Sequence, residues 1–336
     1  MSPIPVTVIT GFLGSGKTTL LAALLRRPEM ADTAVVINEF GEVGLDHLLI
    51  ESSDETVVEL ASGCICCTIR GDLANTLCDL LARRRSGDVP AFERVVIETT
   101  GLADPAPILQ VIMNDPLLAE ALRLERVIAT VDALAGLETL GAHPESVKQA
   151  AVADHLVLTK TDLLSAVPAM LERRLRALNP AAEIHDGRRL DIARLFGIGD
   201  AEARSPGRRI DAWLGRHEQH HVHGESRHDQ AINSFVIVRE APVRAVTLAL
   251  FLETLSEHCG RDLLRLKGLV QLAEAPERPA VIHGVQHVFH PPVWLDAWPS
   301  ADRRSRVVLI TRGLSRAWVE TLLEMLDEEV AALQAA

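Results

Sequence analysis

Residues 11–18 read GFLGSGKT, a Gly-x-x-x-x-Gly-Lys-Thr segment between the apolar run Val6–Thr10 and an apolar helical pattern, Leu20–Leu25. Gly11, Gly14 and Gly16 let the backbone curl so that successive N–H groups point at phosphate oxygens, and the helix that follows adds its positive end. Lys17 is placed to reach the β- and γ-phosphates of a nucleoside triphosphate, and Thr18 to offer its hydroxyl to Mg²⁺. A second segment fits the same chemistry: the strand-like Val95–Glu98 ends in an acid and is followed by Thr99, Thr100 and Gly101. Glu98 is the candidate for a metal-water contact. Gly101 is placed to give its N–H to the γ-phosphate and lose that contact on hydrolysis, so Gly101–Asp104 is a candidate switch.

A third segment, Leu156–Asp162 (LVLTKTD), bears on the base. A carboxylate at the end of a late strand accepts from both N1–H and the exocyclic amine of guanine, donors that adenine lacks, so Asp162 favours GTP. Lys160 can lay its aliphatic stem along the purine face. Thr159 stands where the usual guanine signature has Asn, which weakens or moves one hydrogen bond to the base edge.

The cysteines are Cys64, Cys66, Cys67, Cys78 and Cys259, an odd number with three packed into GCICC just after Val57–Leu60. This is not a disulfide framework for a chain of this size, and clustered thiols in a reducing compartment indicate metal. Strand alternation puts Cys64 and Cys66 on one side and Cys67 on the other. No second Cys pair exists to close a structural zinc cage, and an under-coordinated soft site suits an ion that must leave again. The acidic, glycine-containing segment Asn38–Asp46 adds Glu42 as an extra ligand candidate, with Glu39 or Asp46 facing Mg²⁺ or the attacking water. If metal and γ-phosphate share this segment, each changes the affinity for the other. His217, His220, His221, His223 and His228 fall within a stretch that reads equally as weak capture of Zn²⁺, Ni²⁺ or Co²⁺ and as solvated linker. His47, His143 and His155 read as surface or satisfied core residues.

These motifs need a scaffold that brings strand ends together. Short apolar runs at Val6–Thr10, Ala34–Asn38, Val57–Leu60, Arg94–Glu98, Val127–Val131 and Leu156–Thr159 alternate with helical patterns at Thr18–Arg26, Leu73–Arg84 and Ala166–Leu178. That alternation predicts an α/β fold, a mostly parallel sheet covered by helices on both faces, and the motifs all fall at the carboxyl ends of its strands. The prediction is a nucleotide-binding domain over residues 1–203, a His-rich linker over 204–230 and a smaller α/β domain over 231–336. The last has strands at Asn233–Arg239, Ala280–Val288 and Arg306–Thr311 and helices at Val243–Cys259 and Leu314–Leu333.

Composition narrows the function classes. An apolar fraction of 48% in 336 residues indicates a folded chain. A formal charge of -12 argues against a nucleic-acid partner. No stretch approaches the ~20 apolar residues of a membrane span, and no secretory leader is read at the N-terminus, so the expected location is cytoplasmic.

Taken together, GFLGSGKTTLL, INEFGEVGLD, GCICC, IETTGLADP, LTKTD and the later RLKG and GVQH resemble the CobW-type GTPases, P-loop proteins in the broad class of those that mature urease and hydrogenase. The resemblance covers nearly the whole chain. It implies a metallochaperone or metal insertase, with slow GTP hydrolysis linked to loading or release of zinc (in some members cobalt or iron) for an apo client metalloprotein. By position it implies Gly11–Thr19, including Ser15 and Thr19, on the phosphates, Cys64, Cys66 and Cys67 on the transferred metal, and Thr159–Asp162 on the base. Ile37 departs from the acidic metal-binding residue of some relatives. A non-catalytic metal buffer or sensor, with GTP as a conformational switch, is the alternative, and the oligomeric state and the client stay open.

Overall fold

The computed structural model describes residues 3–38, 57–60, 69–198 and 232–335. The chain divides into two compact units, one drawn from Met1–Glu172 and Glu183–Gly199, the other from Arg173–Ala182 and Asp200–Ala336.

The first unit is built on seven parallel strands: β1 (Ile4–Gly11), β2 (Thr33–Asn38), β3 (Val57–Leu60), β4 (Arg94–Glu98), β5 (Leu122–Asp132), β6 (His155–Thr159) and β7 (Glu183–Asp186), in the spatial order β3-β2-β4-β1-β5-β6-β7. Its helices are α1 (Lys17–Leu25), α2 (Ile69–Ser86), α3 (Ala106–Asn114), α4 (Pro116–Ala121), α5 (Gly136–Ala142), α6 (Pro144–Val152), α7 (Ala169–Leu178, which continues into the second unit) and α8 (Ile192–Phe196). Leu20, Leu21 and Leu24 of α1 and Ile192, Leu195 and Phe196 of α8 close over Ile9, Val35, Val96, Ile128 and Val157. Val8, Ile97 and Leu156 alternate with these and are equally buried on the opposite face. A sheet covered on both sides explains why its strands read as continuous apolar runs. β1 sits mid-sheet between β4 and β5, so the segment that leaves it emerges at the centre of the carboxyl edge, where open α/β sheets bind ligands.

Every expected strand of this unit forms, and two differ from the pattern. β5 starts at Leu122 rather than Val127, because Arg123 and Glu125 pair with each other at 3.6 Å and disguise the strand's polar first half. β7 was not expected, since EIHD carries one apolar residue in four. Helix α7 begins at Ala169, just past Pro168, rather than at Ala166.

The second unit carries an antiparallel five-stranded sheet, β8 (Ile232–Arg239), β9 (Leu263–Leu272), β10 (Ala275–Val285), β11 (Val288–Trp294) and β12 (Ser305–Arg312), ordered β11-β10-β9-β12-β8. Helices α9 (Ala245–Cys259) and α10 (Arg316–Ala335) cover one face through Leu248, Phe251, Leu255, Val319 and Leu323. The expected strand Ala280–Val288 is in fact the end of β10, a tight turn and the start of β11. Gln286 takes the left-handed φ of 53° at that turn without the Gly, Asn or Asp that would announce it. The expected linker over 204–230 lies outside the described residues.

Asp327 of α10 holds the two helices to the sheet, accepting from Arg239 on β8, from Arg244 at 2.8 Å and from the Thr247 hydroxyl at 3.0 Å. Asp327→Ala leaves two half-buried guanidinium groups without their carboxylate and is expected to cost about 2 kcal/mol. Urea unfolding of the whole chain followed by tryptophan fluorescence checks this, since Trp294, Trp298 and Trp318 all lie in the second unit. An unchanged midpoint would show that the cluster is screened by water.

Candidate nucleotide and metal site

The segment between β1 and α1 has the conformation its glycines allow. Gly11, Gly14 and Gly16 take φ values of 142°, 69° and 87°. Gly11 also has no room for a side chain, because a Cβ there would lie 2.2 Å from Thr130 Oγ1 and 2.6 Å from the Thr130 carbonyl oxygen. The loop is pinned to neighbouring strands by hydroxyl groups. Ser15 Oγ and Thr130 Oγ1 of β5 are 2.6 Å apart and buried, and Thr159 Oγ1 of β6 donates to the Ser15 carbonyl at 2.7 Å. Lys17 is buried to 8% exposure, and its ammonium donates to the carbonyls of Gly11 at 3.0 Å and Phe12 at 3.3 Å, which holds the charge over the loop.

Thr18, at the start of α1, donates its hydroxyl to Glu98 Oε1 at 2.7 Å. Glu98 ends β4, two residues past Val96, so alternation turns it to the α1 side of the sheet, and it is 1% exposed. A hydroxyl and a carboxylate this close are the hard oxygen donors that Mg²⁺ accepts. The loop after β4 lies against the phosphate loop: a Cβ at Gly101 would sit 2.7 Å from both the amide nitrogen and Cα of Leu13. Helix α6 holds this loop from the other side. Lys148 pairs with Asp104 at 2.9 Å, and buried Gln149 donates to the carbonyls of Gly101 at 3.2 Å and Ala103 at 3.1 Å. His143, read from sequence as a surface or core residue, stacks on Phe12 of the phosphate loop with ring centres 4.4 Å apart.

At the end of β6, Lys160 takes a left-handed φ of 55° and its ammonium binds Asp132 Oδ2 at 2.6 Å. Burial works to raise the Asp132 carboxyl, but hydrogen bonds from Lys160 and from the amides of Leu134 and Ala135 outweigh it and hold the group below the usual carboxylate range. The pair fixes the Lys160 stem. Asp162 lies exposed in the short 3₁₀ turn Thr161–Leu163. That turn is tied to β7 by Thr161 Oγ1, 2.5 Å from Asp186 Oδ1. Asp186 also accepts from the Arg188 side chain and backbone, which hold its carboxyl far below its ordinary range against the opposing effect of burial.

The structure thus gathers Gly11, Gly14, Ser15, Gly16, Lys17, Thr18, Glu98 and Gly101 at one loop cluster, with Thr159, Lys160 and Asp162 at the adjoining strand end. Glu39, Glu42, Cys64, Cys66 and Cys67 lie outside the described residues, as do His47 and the linker histidines. The remaining thiols are not a soft ligand set: burial pushes both Cys78 and Cys259 up from the ordinary thiol range, and Cys259 packs in the core of the second unit. Sequence reasoning missed Asp132, Gln149, Lys148 and Asp186. Only Asp132 and Asp186 carried a signal, an acid at the carboxyl end of a strand.

Comparison with known proteins agrees with this layout. The family model for the CobW/HypB/UreG nucleotide-binding domain matches residues 5–186, and the model for the cobalamin synthesis protein cobW C-terminal domain matches residues 232–326. The chain is 33% identical to the zinc chaperone YjiA of Escherichia coli, over 92% of this chain and 94% of that protein. It is 32% identical to the zinc chaperone CobW of Pseudomonas aeruginosa, over 96% and 91%. The crystal structure of Zn(II)-bound YjiA GTPase from E. coli superposes with a TM-score of 0.68 at 27% identity, covering 97% of this chain and 99% of that one. With a phosphate loop, a Thr18–Glu98 hydrogen bond and matches spanning both units, the chain belongs to the CobW/HypB/UreG family of P-loop proteins.

Proposed function

We propose that this chain is a Mg²⁺-dependent GTPase that couples hydrolysis of GTP to GDP and phosphate to the binding and delivery of Zn²⁺ to an apo metalloprotein. The observation that carries this reading is the 2.7 Å Thr18–Glu98 hydrogen bond beside the Gly101–Leu13 contact, because it joins the phosphate loop, a metal-type donor pair and a switch loop in one mechanical unit. Similarity to proteins named zinc chaperones, and to a GTPase solved with Zn(II) bound, supports zinc as the cargo. β3, which precedes GCICC in the chain, is parallel to its neighbours and ends at the same edge of the sheet as β1.

The residues of the site then have derivable tasks. With a triphosphate seated, Lys17 exchanges the Gly11 and Phe12 carbonyls for phosphate oxygens, and the loop amides hold the rest of the chain of phosphates. Thr18 and Glu98 would hold Mg²⁺, which supplies neutralisation of the charge that builds on the leaving phosphates. Gly101 gives its N–H to the γ-phosphate, so loss of that group frees the loop that Gln149 and Lys148 otherwise hold. Thr159 spends its hydroxyl on the Ser15 carbonyl, which ties the base loop to the phosphate loop and leaves base selection to Asp162, with Lys160 beneath the ring. Cys64, Cys66 and Cys67, with Glu42, take the zinc as thiolate and carboxylate ligands.

Three outcomes test the proposal. Zinc retained by the purified chain is expected to differ between a non-hydrolysable GTP analogue and GDP, and to fall in Cys66→Ala; equal retention in both nucleotides removes the coupling. Lys17→Ala is expected to slow hydrolysis about 100-fold or more. If that variant still supplies zinc to an apo metalloenzyme at the wild-type rate, the chain is a buffer and not a transfer machine. Asp162→Asn loses two charge-assisted hydrogen bonds of about 1.5–3 kcal/mol each, so GTP affinity is expected to drop at least ~100-fold while xanthosine triphosphate gains. Competition binding with GTP, ATP and xanthosine triphosphate reads this, and an unchanged preference for GTP places base recognition elsewhere.

A further inference from the structure

His155 opens β6 at 2% exposure, and Glu183 and His185 lie on the neighbouring edge strand β7. In the parallel register His155 pairs with Glu183 and Val157 with His185, so alternation turns all three side chains to the face covered by α1 and α8. Their ligand atoms lie within 4.8 Å of one another, the one such group of His, Cys, Asp or Glu among the described residues. His155 Nδ1 is 2.9 Å from His185 Nε2, and that nitrogen is 3.8 Å from Glu183 Oε2. Two ligands bonded to Zn²⁺ at ~2.0–2.1 Å in a tetrahedral site stand ~3.3 Å apart, so these separations bracket the edge of such a site.

We propose that His155, His185 and Glu183 form a second transition-metal site, for Zn²⁺ or Co²⁺, separate from the cysteine motif. Two imidazoles and one carboxylate are a borderline donor set that suits these ions and not Mg²⁺. Three protein ligands leave the fourth position to water. Binding asks for two adjustments. The imidazole that donates in the His155–His185 hydrogen bond must carry its proton on its other ring nitrogen, with no net proton released. Arg194 of α8, whose Nε is 2.8 Å from Glu183 Oε2, must turn outward or leave Glu183 to bind through its other oxygen; at 64% side-chain exposure it is able to turn. The group sits where β6 and β7 begin, at the opposite end of the strands from the phosphate loop. An ion there would brace the strand that ends in Asp186, the residue that holds the Thr161–Leu163 turn.

The experiment is chosen to be independent of the thiol site. The full-length chain is made with Cys64, Cys66, Cys67 and the linker residues His217, His220, His221, His223 and His228 all replaced by serine, and titrated with Co²⁺. The expected result is one equivalent bound, with visible absorption bands of a tetrahedral site and no thiolate charge-transfer band. The bands are expected to disappear in His185→Gln and the affinity to fall at least tenfold in Glu183→Gln, each on the same background. If His185→Gln loses its circular dichroism, Glu183→Gln decides alone, since its side chain lies near the edge of the sheet. Absence of a tetrahedral cobalt signal on the background chain, or the same signal and affinity in a folded His185→Gln or in Glu183→Gln, reduces the cluster to a hydrogen-bonded pair that seals the sheet edge. Neither result bears on zinc binding by the intact cysteine motif.

Discussion

The hydrogen bond from Thr18 to Glu98 spans 80 residues of sequence and joins the first turn of α1 to the end of β4. Both partners come from regular elements, and Glu98 is buried while Thr18 is half-buried, so water reaches the bond from one side at most. Whatever draws on Thr18 also draws on Glu98, and Glu98 is three residues from Gly101. The phosphate loop and the switch loop therefore form one assembly, with the sheet as its frame.

The two sides of that assembly are held differently. Toward β5 and β6 the phosphate loop is fixed by short hydroxyl bonds, Ser15 to Thr130 and Thr159 to the Ser15 carbonyl, and by the lack of space at Gly11. Toward the switch, the loop from Gly101 to Asp104 is held by a side-chain amide and by an ion pair whose partners are 28–29% exposed. An ion pair so placed contributes at most about 1 kcal/mol. The phosphate loop is thus tightly held on one flank and more weakly tethered on the other, so a ligand that engages both would displace the second more readily.

How much of this is legible in the sequence depends on how far apart the cooperating residues lie. GFLGSGKT is local, eight residues whose glycine types call for the positive φ values that the loop takes. The acid after Val95–Ile97 and the Lys-x-Asp after Leu158 are legible because each follows a strand that the apolar pattern reveals. Their partners are not. Asp132 is 28 residues from Lys160 and Asp186 is 25 from Thr161, and neither acid differs in type from many solvated ones. Gln149 and Lys148 carry no motif of their own, and their role shows only in the contacts α6 makes with the loop after β4. His155 reads as a filler of a core strand because its company is supplied by β7, a strand too polar and too short to be seen by pattern. The turn at Gln286 escapes for a different reason: the residue pays about 1–2 kcal/mol to sit where glycine is expected, and the hairpin around it covers that cost.

Thr159 shows how the departure from the guanine signature is absorbed. A side chain at this position faces two duties, toward the base edge and toward the phosphate loop, and Thr has one hydroxyl donor where Asn has two amide protons. The structure commits the Thr159 hydroxyl to the Ser15 carbonyl at 2.7 Å and brings its methyl to 3.4 Å from where a Gly16 Cβ would stand. The loop duty is therefore met by the hydroxyl. On the proposed reading, discrimination between purines falls on the Asp162 carboxylate, in a turn that the Thr161–Asp186 bond ties to β7. The turn that carries Asp162 is thus anchored to β7, the strand that also carries His185 and Glu183.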